Sequence, residues 1–224
     1  MTTRLTRIVG LDLAGSPHRP TGFSLIKGRA IFTSVLFTDQ EIFEAVRKAD
    51  PLLVAIDAPL SLPPGRRDIE DRRGGHFRSC DLELRKRGIR FFPITLGPMR
   101  ALTRRGLKLK SEFLRSGYEV IEIYPGGAQD IWGLPRAGQG REKLASGLER
   151  LSRKEFGLRL SRKAKPWPGM SADELDAVSA ALVGLLYCQG RAELYGRGKK
   201  IIVMPAGRGQ GSGRSVNKPG RSKS

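Results

Sequence analysis

The sequence is short of cysteine, of aromatic residues, of acids and of long apolar runs, and each shortage removes a class of protein. Cys80 and Cys188 are the only thiols among 224 residues. Two cysteines cannot build a disulfide framework, and His76 with Cys80 has no second ligand pair elsewhere to complete a zinc site. No stretch approaches the ~18 consecutive apolar residues that cross a bilayer. The first apolar stretch, Ile8 to Ala14, is short and carries Asp12, so it does not read as a signal peptide. These absences predict a cytoplasmic protein with reduced thiols and no membrane association, and nothing in them points to a protein partner. Aromatics make up 7% of the chain, which leaves few rings for stacking on a base. Phe77, Phe91 and Phe92 are the nearest to hand, and Phe91-Phe92 before Pro93 reads as core.

The shortage of acids matters most. The chain holds 41 Lys+Arg against 22 Asp+Glu, a net charge of +19. Such a surplus favours a polyanionic partner, nucleic acid above all, through phosphate contacts and counterion release. The surplus is concentrated in residues 66–115, with fifteen basic and six acidic residues. Within that segment Arg78, Arg85, Arg104 and Arg105 are the candidate phosphate contacts.

The few acids stand in unusual places. Asp12 lies in Ile8-Val-Gly-Leu-Asp-Leu-Ala14, Asp57 in Leu53-Val-Ala-Ile-Asp-Ala-Pro59, and Glu122 in Val120-Ile-Glu-Ile-Tyr-Pro125. A charge inside an apolar strand is costly unless it is paired or binds a metal. Alternate residues of a strand share a face, so Asp12 points with Gly10 and Ala14, whose small side chains leave room beside it. Asp57 shares its side with Leu53 and Ala55, at the strand end where parallel sheets bind ligands. Glu122 projects with Val120 and Tyr124. Asp173 and Asp176 lie three apart on one face of a helix that opens with a Ser171/Glu174 capping box. The helix dipole alone accounts for an acid at Asp173, whereas Asp176 lies deeper, beside Ala177, Ala180 and Ala181.

The order of elements is legible in outline. Residues 6–14 form a buried strand. Thr21–Ile26 and Ala30–Phe37 form a hairpin about Lys27-Gly28-Arg29. Asp39–Lys48 is a helix, and 52–58 a central parallel strand. Residues 59–92 read as an insertion with a charged helix at Ser79–Lys86. Helical structure is expected over 98–116, with a possible break at Gly106, then a strand at 118–124 closed by Pro125-Gly-Gly. An amphipathic helix at 141–156, the capped helix from Ser171 to about Gln189 and a short strand at 199–204 complete one domain over residues 1–204. Residues 205–224 are basic, Gly/Ser-rich and acid-free, and read as a disordered tail.

Two resemblances follow from these motifs. The strand-borne acid, hairpin, helix, second strand-end acid and late Asp173-Glu-Leu-Asp176-Ala177 helix resemble the ribonuclease H-like fold, and the last of these is similar to the late helix of RuvC-type junction resolvases. More closely, Ile56-Asp-Ala-Pro-Leu-Ser-Leu-Pro63, Arg78-Ser-Cys-Asp81, Arg85-Lys-Arg-Gly88, Leu102-Thr-Arg-Arg-Gly106 and Glu122-Ile-Tyr-Pro125 resemble domain-of-unknown-function family 429, whose members are described as predicted ribonuclease H-like nucleases. The resemblance implies an α/β fold: a mixed five-stranded sheet with helices on both faces and an inserted basic helical segment. It also implies a nuclease in which Asp12, Asp57 and Asp176, helped by Glu122 or Asp173, hold Mg²⁺ or Mn²⁺. Two other readings compete. One is a non-catalytic nucleic-acid binder of the same fold. The other is an actin-like phosphotransferase using Gly10-Leu-Asp-Leu-Ala-Gly15, for which 224 residues look too short.

Overall fold

A computed structural model describes residues 6–207. Strand β1 (Arg7–Asp12) runs into the hairpin β2 (Thr21–Lys27) and β3 (Ala30–Leu36), whose turn uses Gly28 at φ +60°. Helix α1 (Asp39–Ala49) opens on a Thr38/Glu41 capping box and ends at Asp50, whose left-handed backbone precedes Pro51. Strand β4 (Leu53–Asp57) follows, then a long segment holding α2 (Ser79–Lys86). Helix α3 (Gly97–Arg115), β5 (Glu119–Glu122), α4 (Pro125–Trp132) and α5 (Ala137–Phe156) come next. The chain closes through β6 (Arg159–Leu160), α6 (Ala172–Cys188) and a hairpin, β7 (Ala192–Arg197) with β8 (Lys200–Pro205).

The main sheet has the order β5-β4-β1-β2-β3-β6. Strands β4 and β5 run parallel to β1 on one side, β2 and β3 are antiparallel on the other, and β6 pairs parallel with β3. This is a six-stranded sheet where five strands are expected from sequence. The extra strand is two residues long, too short to show any alternation. The strand expected at 199–204 is β8, which pairs with the unanticipated β7 in a separate ribbon, tied to the main sheet by a bridge between Ile123 and Val203. Among the described residues no helix is long and apolar enough to cross a membrane. Most of the basic tail, residues 208–224, lies outside the described residues.

Helices cover both faces, and strand parity decides which residue meets which helix. Val9, Leu11, Val54 and Ile56 pack with Ile42 and Val46 of α1 and with Leu109 and Phe113 of α3. Ile8, Leu53 and Ala55 point the other way, into a core built on α5 and α6. α3 runs unbroken through Gly106, because that glycine lets the helix settle on the end of β4. A Cβ there would lie 2.9 Å from the Ala58 methyl.

The closest packing is between α6 and the middle of the sheet. A Cβ on Gly10 would stand 2.2 Å from the Ala177 carbonyl oxygen, and one on Gly22 would stand 1.9 Å from that of Asp173. The helix backbone therefore rests directly on β1 and β2. Gly10→Ala should lower stability by about 1–3 kcal/mol through overpacking. Gly138→Ala, where nothing lies within 4 Å of the added methyl, should stay within about 0.5 kcal/mol of the parent. Urea unfolding of the two variants checks both values.

Candidate active site

Three of the five sequence-predicted acids converge. Asp12 ends β1 and Asp57 ends β4, and the two are register partners in the parallel ladder, on strands about 4.8 Å apart. Parity puts both side chains on the α6 face, continuing the series Ile8, Gly10, Asp12 and Leu53, Ala55, Asp57. On the other side Asp12 pairs in register with Gly22, the residue against which the Asp173 backbone lies. Ala177 sits over Gly10. The turn of helix between these two contacts carries Asp176, which is thereby held above the strand-end acids.

The electrostatics record this proximity. Burial, then the charges of Asp176 and Asp173, push the Asp12 carboxyl well above the usual carboxylate range. Burial, then Asp12, Asp176 and Glu122, do the same to Asp57. Burial raises Asp176 to about 6, against a hydrogen bond from Gln129 (2.6 Å) and the charge of Arg136. Neither Asp12 nor Asp57 accepts a hydrogen bond or meets a cation among the described residues. Both are half-buried rather than sealed. Asp173, also half-buried, is raised mainly by desolvation and eased by Arg19. Among the described residues, no three Asp, Glu, His or Cys side chains stand close enough to cage an ion as they are.

Glu122 does not join the set. Its strand neighbours Ile121 and Ile123 pack on the α6 side, so Glu122 faces the other way. There it accepts hydrogen bonds from the Leu60 amide (2.7 Å) and from Arg78 (2.8 Å). Arg78 is itself buried and grips Asp81 through Nε and Nη2, while Asp81 caps α2 by accepting from the Arg78 amide (2.8 Å). This network binds β5, the loop after β4 and the start of α2.

The expectation that four arginines face phosphate needs a parallel correction. Arg78 is committed inside, and so is Arg105, which donates to Asp39 (2.7 Å) and to the carbonyls of Ala14 (2.7 Å), Ser16 (3.0 Å) and Phe37 (2.5 Å). With Thr21, whose hydroxyl accepts from the Ala14 amide (3.1 Å), Arg105 fixes the loop leaving Asp12. Arg104 is exposed but paired with Glu70. Arg85 is exposed, over the Phe77 ring at 5.7 Å, and has no acidic partner among the described residues.

Gln129 was not foreseen. It is buried on α4, donating also to Ser179 (3.1 Å), and it orients Asp176. The sequence reads Pro125-Gly-Gly as a stop, although proline favours the first turn of a helix, and that signal could have revealed α4. Arg136 and Tyr124 complete the surroundings. The Tyr124 hydroxyl accepts from Arg136 (2.8 Å) and donates to the Arg90 carbonyl (2.6 Å).

The fold and site define an α/β protein with acids gathered at the carboxyl ends of two central parallel strands. Over residues 10–199 the sequence matches the family described as Protein of unknown function (DUF429), and the chain belongs to that family. No curated protein matches it.

The raised acids set a pH dependence. Native Asp12, Asp57 and Asp176 hold protons more tightly than the unfolded chain, whose carboxyls titrate near 3.8. Without divalent metal, stability should therefore fall as pH rises from about 4 towards 6 and beyond, as these protons leave the native state. Asp12→Asn should flatten that fall and raise stability at pH 7. Urea unfolding in EDTA across this range measures both effects.

Proposed function

We propose that this chain is a divalent-metal-dependent nuclease of ribonuclease H-like architecture, hydrolysing phosphodiester bonds of nucleic acid. One observation carries the reading: Asp12, Asp57 and Asp176 converge unneutralised in a chain of net charge +19. An antiparallel hairpin on one side of the Asp12 strand, and a parallel strand bearing Asp57 on the other, support the ribonuclease H-like assignment.

The donor set suits a hard cation, which prefers carboxylate oxygens. Asp12 and Asp57 on adjacent strands, with Asp176 above them, would hold Mg²⁺ or Mn²⁺. Such ions supply Lewis-acid charge and an activated water at the phosphodiester. The chain's own groups do the rest. Arg105 and Thr21 lock the loop beyond Asp12, so its carboxylate is presented on a fixed backbone. Gln129 holds Asp176 by one oxygen.

Asp12→Asn and Asp57→Asn should each reduce Mg²⁺- or Mn²⁺-dependent cleavage by about 10³-fold or more, the loss of several kcal/mol of transition-state stabilisation. Both variants should still bind nucleic acid. A panel of labelled single-stranded, duplex and branched DNA and RNA reads cleavage, and anisotropy reads binding. Binding without cleavage by the parent protein would favour the non-catalytic binder, a reading to which the lack of a ready-made three-ligand cage among the described residues lends weight. Millimolar Mg²⁺ should also raise the melting temperature of the parent by binding the native state. That shift should be lost in Asp12→Asn.

A further inference from the structure

A cleft of about 830 Å³ has Tyr124 and Arg136 in its lining, and nothing in the proposed hydrolysis uses it. We infer that it is a stacking platform for an unpaired base, so that the protein takes its nucleic acid as a single strand. Calling that strand a substrate rests on the nuclease reading.

The walls carry the inference. Phe77, Phe91, Phe92 and Tyr124 line the cleft, four rings in a chain where aromatics are scarce. Phe77 and Phe91 meet edge to face, their centroids 6.1 Å apart at 84°, which braces the inner wall. Phe92 is 71% exposed, the most exposed large apolar side chain of the described residues, and it stands at the cleft instead of in the core expected from sequence. A lone exposed ring would mean little, but Phe92 is grouped with three further rings in one concave cleft, and grouped apolar surface of this kind marks a binding site.

Charge narrows the partner further. Arg85 and Arg90 line the same cleft with no acidic partner among the described residues, whereas Arg136 is held by Asp130 (2.6 Å). Guanidinium groups without acidic partners beside the exposed Phe92 ring suit a phosphate backbone with a base splayed onto that ring. A paired duplex keeps its bases stacked on each other and offers the rings nothing. The cleft also joins the acids electrostatically. Tyr124 feels the charge of Asp57, and Asp176 feels that of Arg136. A strand with a base on Phe92 would thus run towards Asp57 and Asp176.

The test is binding by the full chain in EDTA, read by anisotropy with labelled oligothymidylate and oligouridylate of about 15 nucleotides and a duplex of the same length. Single strands should bind about tenfold or more tighter than the duplex. Preference between the two homopolymers separates DNA from RNA, and tight binding of either supports the platform. Phe92→Ala should weaken single-strand binding about 5- to 100-fold, as loss of one stacked base does, and Phe92→Tyr should restore it. Arg90→Ala should lower the slope of log affinity against log salt by about 0.7. Equal binding of duplex and single strand, or an unchanged affinity in Phe92→Ala, overturns the inference. The experiment needs no metal, so it is independent of catalysis. Phe92-dependent binding without cleavage sinks only the nuclease reading, and cleavage with duplex-preferring binding sinks only the platform.

Discussion

The direct seating of α6 on β1 and β2 governs the rest of the structure. Helix and sheet ordinarily keep side chains between them, but here Gly10 and Gly22 present bare backbone, and the helix offers Ala177, Ala180 and Ala181 in return. The approach makes many short dispersion contacts and leaves no room for error, since any β-carbon at either glycine collides with main chain. It has a second consequence. A helix held that low on the sheet brings its own first two turns down to the strand ends, and those turns carry Asp173 and Asp176. The proximity of the acids is thus a result of packing, imposed by two residues that have no side chain.

The basic character of the chain divides into two populations with different work. Buried Arg78 and Arg105 act as multivalent clamps. Each reaches elements distant in sequence, Arg78 joining α2 to β5 and Arg105 joining α3 to the loops after β1 and β3. A planar guanidinium with five donors suits that task, because it satisfies several carbonyls and carboxylates at once in a place where an unpaired polar group would be costly. Exposed arginines such as Arg85 and Arg90 make no such commitment. Net charge alone does not distinguish the two. A count of fifteen basic residues in 66–115 overstates the surface available to a phosphate backbone, since part of it is consumed internally.

Much of the site was legible because strand parity is a strict rule. The alternation Ile8, Gly10, Asp12 already separates the acid from Val9, Leu11 and Leu13, and the Ser171/Glu174 capping box places Asp173 and Asp176 one turn apart at a helix entrance. The same rule sets Glu122 with Val120, but which face of the sheet that is relative to Asp57 depends on inter-strand register. Ile56, not Asp57, stands opposite Glu122, and only pairing across the sheet can reveal it. The burial of Arg78 and Arg105 was equally out of reach. Their partners lie 44 and 66 residues away, and no local pattern records such contacts. β6 and β7 were lost for different reasons. β6 is two residues long, while β7 contains Glu193, Gly196 and Arg197, half-buried or exposed residues of a two-stranded ribbon that interrupt the apolar signal.

What a chain does with its surplus arginines bears on what its unpaired acids are for. Guanidinium groups neutralise Asp39, Glu70, Asp81, Glu122 and Asp130, through side chains that come from three separate regions of the fold. Cations are abundant, and the structure places them beside acids freely. Yet among the described residues Asp12 and Asp57 have none, although mutual repulsion and burial make their ionised forms costly, and Arg105 passes within hydrogen-bonding distance of Ala14, two residues from Asp12, without turning to it. An arginine there would relieve the strain and would also fill the space between the two carboxylates. On the proposed reading, leaving that space to a removable charge would keep the acids available, which a permanent ion pair does not.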